Sequence, residues 1–150
     1  MSRQVKNIIA ITFFLICIGL INVAGQNIEI EIRGMNAFTF ILIIAVLLQV
    51  IFFIPSFLLK TEKYYDLVGS LTYITTISLA YFSVENKTMI DSIIYFYVMV
   101  WALRLGIYLF RRVRNDGKDV RFEKAKRHFF WFLQYWMGQA LWVSLTACAA

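Results

Sequence analysis

The sequence predicts an all-α protein, a multi-span transmembrane helix bundle of about five helices. Two observations carry that expectation. Hydrophobic residues make up 61% of the 150-residue chain and charged residues 16%, whereas soluble domains hold about 45–50% apolar and about 25% charged residues. The apolar residues are also gathered into five continuous runs, with the charges almost wholly between them. A water-soluble domain, a disordered chain and a disulfide-stapled module are excluded. One proline and seven glycines exclude collagen-like and low-complexity chains.

The runs cover residues 8–24, 37–59, 67–84, 93–110 and 129–150, close to the ~20 helical residues that cross a ~30 Å hydrocarbon core. An outer-membrane barrel would alternate apolar and polar residues, and these runs do not. The third run carries Ser70, Thr72, Thr75, Thr76 and Ser78, so it is expected to face other helices rather than lipid. No repeat, linker or second domain interrupts residues 1–150, which read as one transmembrane domain.

Orientation follows from where the cations fall. Arg3, Lys6, Lys60, Lys63 and the eight Lys/Arg of segment 111–128 share one side, twelve in all, against Arg33 and Lys87 on the other. Cytosolic loops collect Lys and Arg, which predicts N-in, C-out, with the basic loop in the cytosol. The formal charge of +6 then reads as orientation signal and headgroup contact, not nucleic-acid binding. Such a chain belongs in the endoplasmic reticulum of a eukaryote or the inner membrane of a bacterium. The first run could instead be a signal peptide, with Val23-Ala24-Gly25 at a cleavage point; the other spans keep their direction either way. Asn86-Lys87-Thr88 matches the glycosylation pattern in an outward loop, although chance also produces such triplets.

Several chemistries are missing from the sequence. It has no GxGxxG or GxxxxGK[ST] loop, no GxSxG elbow and no metal-ligand spacing around its lone histidine, His128. Cys17 and Cys148 lie in apolar runs and read as packed hydrophobes. Arg104 stands out: it lies six residues before the end of the fourth run, about 9 Å inside the cytosolic boundary. Such a charge either serves a site or snorkels to the headgroups. Asp66 opens the third run from the same side, as a helix N-cap or as an ion-pair partner for Arg104. The basic loop also holds Asp116, Asp119 and Glu123, which suggests internal pairing, or a phosphate-binding surface built from arginines. The fifth run opens with Phe129, Phe130, Trp131 and Phe132. It continues with Gln134 and Gln139 and a small-residue seam of Ala140, Ser144 and Cys148. Gln49 and Pro55 in the second run read as packing and kink features.

Four fragments together resemble the steroid 5-alpha-reductase-like membrane oxidoreductases. They are RLGIYLFRR at 104–112, GKDVRFEKAKR at 117–127, FLQYWMGQALW at 132–142 and TEKYYDLVGSLTY at 61–73. The resemblance covers roughly residues 45–150 and implies a helical membrane reductase. Such an enzyme takes hydride from NADPH to an activated carbon–carbon double bond of a steroid-like or other lipid substrate. It implies Asp66 as the catalytic acidic residue and Arg104, Asp119 and Arg121 as cofactor contacts, with no metal. The family's tyrosine does not carry over, since Trp101 stands near its place and supplies no phenol. Members of that family continue further, with a cofactor-binding end rich in arginine, histidine and asparagine. The chain therefore reads as an N-terminal part whose cofactor site is incomplete. A non-catalytic membrane scaffold and an isoprenylcysteine methyltransferase-like enzyme are the alternatives.

Overall fold

The computed structural model describes residues 1–116 and 119–147. Within them the chain forms five α-helices: α1 (Arg3–Ala24), α2 (Ala37–Leu58), α3 (Tyr65–Ser83), α4 (Met89–Asp116) and α5 (Phe129–Ala147). They answer the five predicted runs, and the bundle is all-α apart from one two-residue-per-strand hairpin. Cys148, the last member of the expected small-residue seam, lies outside the described residues. Ala140 and Ser144 of that seam are both buried.

Local chemistry sets the helix ends. The Ser2 hydroxyl caps α1 by accepting from the Val5 N–H, and Asn36 caps α2 by accepting from the Thr39 N–H. Thr88 and Asp91 cap α4 reciprocally: the Thr88 N–H donates to Asp91 Oδ2 at 2.7 Å, and the Asp91 N–H to Thr88 Oγ1 at 3.2 Å. The Thr88 of the glycosylation triplet is thus a capping residue. Between α1 and α2, Glu31–Ile32 pairs antiparallel with Met35–Asn36. The two central residues, Arg33 at φ 54° and Gly34 at φ 75°, give the doubly left-handed turn that matches strand twist.

Three helices, Arg3–Ala24, Ala37–Leu58 and Met89–Asn115, are long and apolar enough to cross a membrane. The protein is accordingly a membrane protein. Helix α3 is the polar one, and three of its five expected inward residues, Ser70, Thr72 and Thr76, are buried, while Thr75 and Ser78 are half-buried. Gln49 of α2 donates to Thr72 Oγ1 at 2.9 Å with both residues fully buried, so it is a packing residue. Thr72, Thr76 and Ser144 return their hydroxyls to carbonyls one turn back, which satisfies them without a partner helix.

Antiparallel α3 and α4 pack closely because Gly106 leaves room for Ser70, whose hydroxyl donates to the Ala102 carbonyl. Helix α1 packs on α5, and Ile11 and Phe14 join the main core. The first run is therefore an integral part of the bundle. That core gathers Phe53, Val68, Phe122, Phe132, Trp136 and Met137, with ring centroids such as Phe122–Tyr135 at 4.9 Å and Tyr65–Trp136 at 5.3 Å. Phe122 comes from the basic loop and is 1% exposed, so the loop is nailed into the bundle.

Candidate functional site

One end of the bundle collects the cationic segments. The Arg3 guanidinium lies 4.7 Å from the Trp131 ring centre, and Lys126 of the loop donates to Glu62 of the α2–α3 turn at 2.7 Å. Glu62 is 4% exposed, and its other oxygen accepts from the Asp119 N–H at 3.2 Å. A buried carboxylate therefore fixes where the loop starts.

From that anchor the loop delivers two charged side chains to Asp66. Asp119 holds Arg121 through two 3.0 Å bonds from Nε, a further bond from Nη2, and the Arg121 N–H. Arg112 of α4 lies 3.6 Å from Asp66 and 3.7 Å from Asp119, and Arg121 lies 3.8 Å from Asp66. Two carboxylates and two guanidiniums make a neutral four-membered cluster. Asp66 and Asp119 are largely enclosed in it, while the arginine side chains keep 41% and 53% of their surface open.

The two acids differ in character. The hydrogen bond from Arg121 holds the Asp119 carboxyl below its ordinary range, whereas burial pushes Asp66 up, opposed by Arg121 and Arg112. Arg121 is pushed up in turn by its bond to Asp119. Burial also raises the Tyr65 phenol, whose hydroxyl donates to the Tyr135 carbonyl at 2.9 Å.

Two expectations for Asp66 are corrected. Tyr64, not Asp66, holds the N-cap position of α3, and Asp66 lies in the first turn. Its partner is not Arg104. The Ser70–Ala102 contact sets the α3–α4 register, and one helical turn from Ser70 toward the basic end, Asp66 faces the stretch of α4 beyond Arg104. Arg104 also projects from the outer face of α4, so Arg112, two turns on, takes the pairing. Asp66 is paired instead with the guanidiniums of Arg112 and Arg121. The proposed pairing inside the basic loop also occurs for Asp119; the side chain of Asp116 lies outside the described residues.

Behind the cluster a cavity of about 530 Å³ runs between α3, α4 and α5. Asp66 and Arg121 line one end, and Tyr73, Trp101 and Trp142 line the other, where the two indoles are exposed. Tyr73 packs edge-on to Trp101 at 5.0 Å and hydrogen-bonds Thr146. The cavity therefore holds three phenols, Tyr65, Tyr73 and Tyr135, although Trp101 offers none. Gln139 of α5 packs against α3 in the space Gly69 leaves open, and its buried Oε1 has no partner among the described residues. Its volume suits a small to medium apolar molecule with a polar end.

Glu62, Lys126 and Arg112 were not singled out from sequence, though RR at 111–112 and the lone acid of TEK were visible signals. His128 is exposed and stacked on Trp131, an interfacial position. Among the described residues no group of three His, Cys, Asp or Glu side chains could hold a metal ion.

Residues 52–150 match the family model described as "Protein of unknown function (DUF1295)". No curated protein and no solved structure matches the chain.

Proposed function

From a chain that belongs to the DUF1295 family and lines an acid-ended apolar cavity, we propose a membrane-embedded, steroid 5-alpha-reductase-like enzyme. It reduces an activated carbon–carbon double bond of a steroid-like or other lipid substrate with NADPH. The observation that carries the reading is the union of the Asp66 cluster with a cavity of about 530 Å³ walled by aromatic rings.

The residues fit an anionic dinucleotide on one point of chemistry. Arg112 and Arg121 are tied to carboxylates on one side and open on the other, so their outer N–H edges are available to a phosphate. When bound, NADPH supplies the hydride. Asp119 positions Arg121 through its fork of hydrogen bonds. Burial pushes the Asp66 carboxyl up against the opposing pull of Arg121 and Arg112; when it carries a proton, it would donate a hydrogen bond to a substrate carbonyl and so draw electrons toward that oxygen. Tyr73 and Trp101 would hold the apolar body of the substrate. Arg104 lies outside this cluster and would reach a cofactor only from the outer side of α4.

The test is NADPH binding and NADPH-dependent reduction of a 3-oxo-4-ene steroid by the purified chain. The reading expects Arg121→Gln to weaken NADPH binding and Asp66→Asn to abolish reduction with binding kept. No NADPH binding by the well-folded chain, while it co-purifies with a full-length homologue, would replace the enzyme with a scaffold.

A further inference from the structure

Helix α4 has two opposite faces. Ala102, Gly106 and Val113 are buried, and at 100° per residue Arg104 and Arg111 stand about 180° from their mean direction. Arg104, Tyr108, Arg111 and Asn115 follow steps of four, three and four residues, which places them in one row. With Ile107 and the edge of Arg112 they line an outer groove of about 640 Å³, which shares no residue with the cavity behind Asp66.

This row differs from the arginines of the cluster. Arg112 and Arg121 are balanced by Asp66 and Asp119. Arg104 and Arg111 form no ion pair among the described residues. The same outer face continues toward the other end of α4 as Val100, Tyr97 and Ile93, all exposed. A helix long and apolar enough to cross a membrane thus presents an apolar strip followed by two guanidiniums and a tyrosine. Phospholipids of the adjoining leaflet present the same order, acyl chain and then phosphate.

We infer that the outer face of α4 is a binding site for an anionic phospholipid. Its phosphate lies between Arg104 and Arg111 beside Tyr108, and an acyl chain lies along Val100 and Ile93. The site needs the membrane location of the chain but not the reductase reading.

The test is native mass spectrometry of the detergent-solubilised full chain, titrated with phosphatidylglycerol or phosphatidylcholine of identical acyl chains. Two arginines near a charged lipid predict retention of phosphatidylglycerol about thirtyfold over phosphatidylcholine. The preference should collapse in Arg104→Gln/Arg111→Gln, and survive in Lys124→Gln/Arg127→Gln, which removes equal charge from the loop. Both pairs are exposed, and unchanged far-UV circular dichroism checks that they fold. Equal retention of the two lipids by the wild type overturns the inference. So does equal loss of preference in both variants, which would make it bulk charge. Unchanged lipid preference with lost NADPH binding in Arg104→Gln/Arg111→Gln would also overturn it, and assign the row to the cofactor.

Discussion

Replacing Lys126 by Met tests the anchor that places the charged loop. Glu62 is 4% exposed, and among the described residues it keeps two polar contacts, Lys126 at 2.7 Å and the Asp119 N–H at 3.2 Å. Removing the ammonium strands a carboxylate in a site closed to water. Breaking a buried pair from one side costs about 3–5 kcal/mol; the remaining N–H bond and the 21% exposure of Lys126 place this case near about 3 kcal/mol. For a chain of this size, at about 2–4 °C per kcal/mol, the midpoint should fall by roughly 6–12 °C. Thermal unfolding of the purified chain in detergent, followed by far-UV circular dichroism, measures it. Glu62→Gln/Lys126→Met should recover most of the loss, because no buried charge is then left alone. A Lys126→Met midpoint within about 1 °C of wild type, or a double variant as unstable as the single one, would refute the reasoning.

Four further outcomes follow from the same geometry. Phe122→Ala removes a ring packed against Tyr65, Phe132 and Tyr135 and should destabilise by about 3–5 kcal/mol, read as an earlier midpoint and faster proteolysis in the 111–128 loop. Asp66→Asn should leave the midpoint unchanged or higher, since burial already disfavours its charge, while steroid reduction is lost. Asp119 is held below its ordinary value of 3.8, so its contribution is complete above that pH and is lost as pH falls through the lower folded value. The stability gap between wild type and Asp119→Asn should be flat at neutral pH and close in acid. Gly69→Ala places a methyl group where the Gln139 amide lies; a titration of steroid binding should show weaker affinity with helicity intact.

Much of the fold was legible because span length and hydropathy are properties of single segments. The second run was read as 37–59 and the helix is Ala37–Leu58. The fourth was read as 93–110, but α4 extends to Asp116, because arginines are good helix formers and the backbone need not stop where the lipid does. The hairpin at Arg33-Gly34 was missed; an arginine at positive φ gives little warning. Asp66 and the loop arginines were legible as chemistry. Their pairing was not, since it depends on the α3–α4 register that Ser70 and Gly106 set. Tyr65 and Tyr73 were equally hidden, because helix phase, not residue type, brings a phenol into a cavity.

The pairing of α1 with α5 has a consequence for biogenesis. The first helix made and the last one described are lateral neighbours, so α1 must wait at or beside the insertion machinery while the three helices between are synthesised. Until then Ile11 and Phe14 lack their α5 partners, and Arg3 has no indole to rest on. Docking of α1 on α5 is therefore a late event, and a ribosome stalled before residue 129 should leave α1 open to crosslinking by lipid or translocon.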